Sequence, residues 1–69
     1  MKELHITTDY ILLHQALKLL GIIPTGGAAK FFLLSHDCFV NNEKEERRGR
    51  KLYPGDVFSI GKLDFKIVK

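Results

Sequence analysis

Leu4-His5-Ile6-Thr7 alternates apolar and polar side chains, the period of a short strand. From Tyr10 to Leu20 the spacing changes. Leu13, Ala16, Leu17 and Leu20 fall at i, i+3, i+4 and i+7 and line one face of a helix, with Thr8 or Asp9 placed to cap its start. Gly21 suits the left-handed residue that ends a helix, Ile22 offers the apolar contact that goes with it, and Pro24 prevents continuation. Thr25 is then positioned to cap a second helix, from Gly26 to Ser35, with an inner face of Ala28, Phe31, Phe32 and Ser35 or Leu34. A connection of about four residues forces the two helices against each other.

After Asp37 the pattern belongs to strands. Cys38-Phe39-Val40-Asn41 reads as a short strand, the charged stretch from Asn42 to Gly49 as a loop, and Lys51-Leu52-Tyr53 as another short strand. Tyr53-Pro54-Gly55-Asp56 carries Pro and Gly at the two central positions of a type II turn. Gly61-Lys62 is a two-residue hairpin signal of the Gly-first kind, flanked by strands at Val57–Ile60 and Leu63–Val68. Pairing Ile60 with Leu63 sets Phe58 opposite Phe65 and collects Phe58, Ile60, Leu63, Phe65 and Ile67 on one face, which the helices must cover. The expectation is an α+β fold, a helix pair packed on one side of a small twisted sheet of short strands.

With 69 residues, 45% of them hydrophobic, there is room for a single domain spanning residues 1–69 and none for a large cleft. A core this small needs its aromatic rings, so Phe31, Phe32, Phe39, Phe58 and Phe65 are assigned to it. The lone Cys38 cannot form an internal disulfide and no four-ligand Cys/His set exists for a structural zinc, which reads as a cytoplasmic chain. Neither a signal peptide nor a stretch long enough to span a membrane is expected.

Charge narrows the function. Residues 1–40 hold three basic and three acidic side chains, so the whole net charge of +3 lies in residues 41–69, where eight basic groups face five acidic ones. Four cations fall in one short run, Arg47, Arg48, Arg50 and Lys51, with Gly49 letting the loop bend. Arginine offers a planar, permanently charged fork that grips phosphate through two hydrogen bonds, so this run suits a polyanion. The competing reading is a solvated loop whose cations pair with Glu43, Glu45 and Glu46, and a phosphate site requires those carboxylates to point away. The opening of the second helix is the other candidate. Its free N–H groups favour an anion, and Thr25-Gly26-Gly27 could receive a phosphate with Lys30 one turn on; alternatively Thr25 only caps and the glycines permit close helix packing. Tyr53 is the one aromatic beside the basic run and could stack on a base, although packing against the sheet is favoured.

Catalysis finds no support. His36, Asp37 and Cys38 are adjacent, which sends their side chains in different directions, whereas a nucleophile, base and orienting group must converge. His5 and His14 have no metal-ligand spacing, Cys38 beside Phe39 and Val40 reads as a small buried residue, and no phosphate loop or dinucleotide fingerprint is present. No catalytic residue, metal, cofactor or small-molecule substrate is expected.

The order of features from Ile11 to Asp56 resembles the RNA-binding domain named after small-subunit ribosomal protein S-four, also called the αL motif. That family shows a leucine-bearing helix, a Ser or Thr opening a second helix with Ala inside it, a strand of the form V-x-V-N-G, a loop with basic residues, and a closing P-G-D. Here these read Leu13-His14-Gln15-Ala16-Leu17-Lys18-Leu19-Leu20, Thr25-Gly26-Gly27-Ala28-Ala29-Lys30, Phe39-Val40-Asn41-Asn42, Arg47-Arg48-Gly49-Arg50-Lys51 and Pro54-Gly55-Asp56. The likeness covers about two-thirds of the chain, and within the superfamily it is greatest to the free-standing bacterial proteins of the YaaA and YbcJ type. Gly26 and Gly27 stand where many relatives carry arginines, and Asn42 replaces the usual Gly. The resemblance implies a bacterial, ribosome-associated protein that binds structured RNA, either ribosomal RNA or a ribosome assembly particle, through the helix opening and the basic loop. Shape-selective contact with phosphates and 2′-hydroxyls fits so small a surface. The rival class is a protein-interaction adaptor using Leu12, Leu19 and Leu33 on the exposed remainder of the helix pair.

Overall fold

The computed structural model describes residues 1–69 as seven strands and two helices. In chain order they are β1 (Lys2–His5), β2 (Ile11–Leu12), α1 (Leu13–Leu19), α2 (Ala29–Ser35), β3 (Cys38–Val40), β4 (Glu43–Lys44), β5 (Lys51–Leu52), β6 (Val57–Ile60) and β7 (Leu63–Val68). Five strands form one sheet in the order β1-β7-β6-β3-β4, while β2 and β5 form a separate two-stranded ribbon. β1 runs parallel to β7; every other pairing is antiparallel. The α+β architecture with both helices packed against the sheet is as the sequence pattern predicts.

Local chemistry explains most boundaries. α1 ends as expected: Gly21 takes φ 74°, its N–H donates to the Lys18 carbonyl at 3.0 Å, and the Ile22 N–H donates to Leu17 at 3.0 Å. At Tyr53–Asp56 the type II turn closes with Asp56 N–H donating to the Tyr53 carbonyl at 2.9 Å, and Gly55 supplies the φ of 97° that this turn demands. The β6–β7 register is the predicted one, Ile60 opposite Leu63 and Phe58 opposite Phe65, whose rings stack at 5.1 Å.

Several elements differ from the sequence reading. The helix expected from Tyr10 begins at Leu13, because Ile11 and Leu12 pair with Leu52 and Lys51 as strand β2. Thr8 and Asp9 therefore do not cap it; Thr8 donates its hydroxyl to the Tyr10 carbonyl, and the Gln15 side chain accepts the Leu12 N–H instead. Residues 26–28 form a 3-10 turn before α2, and Thr25, although at the capping position, makes no side-chain cap bond. The buried face of α2 is Ala29 and Leu33 with Phe32 and Ala28 alongside, whereas Phe31 is 73% exposed and Leu34 also faces solvent. Leu63 and Phe39 are likewise exposed, the latter because β3 alternates and Cys38 and Val40 take the core face. The stretch read as a loop from Asn42 contains β4, joined to β3 through Asn41 and Asn42, which hold φ 51° and 69°. That pair of left-handed residues makes the tight hairpin turn, and asparagine is one of the few residues besides Gly that tolerates the conformation.

The core gathers Leu13, Ala16 and Leu17 of α1, Ala29 and Leu33 of α2, and Cys38, Val40, Phe58, Ile60, Phe65 and Ile67 of the sheet. Ile11 and Leu52 tie the ribbon to the same cluster. No helix is long and apolar enough to cross a membrane.

Candidate nucleic-acid interface

The basic loop is built around a carboxylate. Glu45 follows β4, and its N–H extends the ladder by donating to the Cys38 carbonyl at 2.8 Å, which by strand alternation turns its side chain to the Cys38 face at the sheet edge. Only 5% of Glu45 is exposed. Its oxygens accept from Arg47 Nε at 3.0 Å, Arg47 Nη2 at 3.1 Å, the Arg47 backbone N–H at 3.1 Å and Arg50 Nη1 at 2.8 Å. Bonds from Arg47, above all, hold the Glu45 carboxyl down at about 2 despite its burial, with Arg50 adding to the effect. The requirement that the glutamates point away from the cations is thus not met at Glu45, whereas Glu43 and Glu46 remain exposed and unpaired. Arg47 and Arg50 spend part of their bonding capacity on structure; Arg48 and Lys51 have no carboxylate partner.

The loop is docked on α1 through its backbone. Leu13 N–H donates to the Arg50 carbonyl at 2.8 Å and His14 N–H to the Arg48 carbonyl at 2.9 Å, so orphan donors of the helix start hold the cation-bearing segment in place. His14 also reaches the second candidate region. A methyl group added at Gly26 would lie 3.1 Å from His14 Nδ1, while one at Gly27 would meet nothing closer than the Thr25 hydroxyl at 3.9 Å. Gly26 thus serves close packing of the α2 opening on α1, and Gly27 faces open space. The Gly26 and Gly27 N–H groups take no part in the backbone bonds of turns and caps. Thr25 and Lys30 are exposed on the same opening.

His14, Gln15 and Lys18 line the groove that also contains Gly26. Sequence reasoning left them out, although His14 and Lys18, four apart, share one face of α1. Tyr53 does not pack on the sheet: it meets Tyr10 across the ribbon with ring centroids 5.7 Å apart. On the adaptor surface Leu33 is buried and Leu12 half-buried, leaving only Leu19 exposed among the three.

The adjacent His36, Asp37 and Cys38 diverge. His36 stacks on Phe32 at 4.3 Å, Asp37 pairs with Lys44 at 3.6 Å, and the Cys38 thiol is buried, pushed up to about 11 by that burial and by the Glu45 carboxylate. No group of three or more His, Cys, Asp or Glu side chains is placed to hold a metal ion.

A basic loop pinned to one helix start beside the opening of a second, above a sheet closed by a P-G-D turn, is the arrangement expected of the αL motif. The family model of the S4 domain matches residues 4–68, and the chain belongs to that family. It is 52% identical over 64 residues to the probable ribosome maturation protein RlbA of Bacillus subtilis (strain 168), a match covering 91% of this chain and 90% of that protein. The likeness to small free-standing members of the family is thereby borne out.

Proposed function

We propose that this chain is a non-catalytic RNA-binding protein, a single domain over residues 1–69 that recognises structured RNA, either ribosomal RNA or a ribosome assembly particle, in the bacterial cytoplasm. The observation that carries the reading is the basic loop itself: Arg48 and Lys51 lack carboxylate partners on a segment whose backbone is fixed to α1 by two short hydrogen bonds. Cations held on a fixed backbone lose little further freedom on meeting phosphates. Arg47 and Arg50 contribute the net positive charge left after Glu45 is neutralised. Thr25, Gly26, Gly27 and Lys30 form the second end of the surface, reached across His14, with the Gly27 position open to a phosphate. Family membership and the likeness to a probable ribosome maturation protein of Bacillus support a role with ribosomal particles.

Co-sedimentation with ribosomal particles over a salt series tests this, comparing wild type with Arg48→Ala/Lys51→Ala. Arg47→Ala/Arg50→Ala is the poorer probe, because it also removes every side-chain partner of the buried Glu45. Salt-sensitive association, with a log–log slope reduced by about one for each phosphate contact removed, is the expected result. Association indifferent to both salt and the substitutions overturns the site and favours an apolar protein interface.

A further inference from the structure

The β2–β5 ribbon makes no strand pairing with the main sheet, and its two faces differ in chemistry. Ile11 and Leu52 are paired and buried. Alternation then turns their neighbours outward, and extending the register by one pair places Tyr10 opposite Tyr53. The two rings meet at 50°, with Lys51 Nζ 5.0 Å from the Tyr10 centroid. Tyr10 stays 39% exposed and Tyr53 47%. The hollow beside Tyr53 is lined by Arg47, Gly49, Arg50, Lys51 and Asp56.

We infer that Tyr53, backed by Tyr10, is a stacking platform for one unpaired nucleobase of the bound RNA, whose neighbouring phosphate lies against Arg47 and Lys51. The inference rests on the RNA-binding reading and narrows it from duplex shape to RNA that offers a bulged or looped-out nucleotide. Lys51 already occupies Tyr10, which leaves Tyr53, the more exposed ring, to receive the base. The Asp56 carboxylate keeps its charge but is fixed at the turn, accepting from the Tyr53 N–H at 2.8 Å and from Asn41 Nδ2 at 3.1 Å, and Arg47, Arg50 and Lys51 outnumber it around the hollow. Beside Gly49 the hollow is open, since a methyl group added there would meet nothing within 4 Å. Stacking of this kind tolerates any base, because every base has a π face.

The molecule carries its own reporter. It has no tryptophan and only two tyrosines, both in this cluster, so intrinsic tyrosine fluorescence reads the proposed site alone. The probes are two RNA duplexes of equal length, one fully paired and one with a single-nucleotide bulge. The bulged duplex is expected to bind roughly 5- to 150-fold more tightly and to quench the tyrosine emission. Tyr53→Leu should abolish that preference without changing the salt slope, and Tyr53→Phe, which keeps the ring, should retain it. Equal affinity for the two duplexes with a steep salt dependence overturns the stacking site and leaves the RNA-binding reading standing, as does a preference that survives Tyr53→Leu. Binding of neither duplex, at any salt concentration, overturns both.

Discussion

The β6–β7 hairpin and the segment from Glu45 to Lys51 hold their shapes by opposite means. The hairpin is set by a continuous ladder, a Gly-first turn and two stacked phenylalanines, all of which act within a dozen residues. The basic segment has a single residue of regular strand, Lys51, and its shape depends on one buried carboxylate and on two carbonyls lent to α1. Cations in that segment therefore divide into Arg47 and Arg50, tied to the buried carboxylate, and Arg48 and Lys51, which have no carboxylate partner. A count of positive charges along the sequence cannot separate the two kinds.

The largest expected effect falls on the hairpin. Phe58→Ala removes a fully buried ring and should lower unfolding free energy by about 3–5 kcal/mol in urea titration, with RNA affinity per folded molecule unchanged. Next is the carboxylate of the loop. Glu45→Gln keeps the shape but not the charge, and should cost about 2–3 kcal/mol at neutral pH. Because ionised Glu45 is favoured in the folded state, its contribution is complete above the ordinary value of 4.5 and fades as pH falls toward about 2. Thermal unfolding followed through that window should show an acid-dependent loss in wild type that is shallower in Glu45→Gln. A wild-type curve no steeper than the variant's would mean that the clamp does not hold the loop.

Smaller effects separate packing from contact at the second helix. Gly26→Ala forces the His14 ring to yield and should destabilise modestly, whereas Gly27→Ala should leave the melting temperature nearly unchanged while weakening RNA binding. Equal effects of both substitutions on both measurements would erase the distinction. Smallest of all is Phe31→Ala, expected to alter stability by no more than about 0.5 kcal/mol, because the ring faces solvent.

What could be read from sequence was whatever short-range chemistry decides. Gly61-Lys62 fixed a register, Pro54-Gly55 a turn and Gly21 a helix end, because each forces a backbone conformation on its own. Nothing at Ile11 or Leu12, neither Gly nor Pro, stops a helix from starting there; only pairing with Leu52 and Lys51, forty residues on, makes them a strand. The phase of α2 was missed for a related reason. Large rings suggest burial, yet close packing of α2 selected the small Ala29 with Leu33. The basic run was visible as the candidate surface, but Asn42–Gly49 has no apolar period to place Glu45, and its burial follows from arginines that curl back over it. His14, which links the two ends of the surface, has meaning only once the loop carbonyls meet α1.

The position of β7 bears on how the molecule comes into being. It lies between β1 and β6 in the sheet but is the last of the strands in the chain. At a synthesis rate of about 5–20 residues per second, β1 waits for nearly the whole chain before a partner emerges, and Phe58 waits for Phe65. Until residues 63–68 are free, the nascent sheet is split in two with apolar edges open, so the fold closes as one late event rather than growing from its amino end.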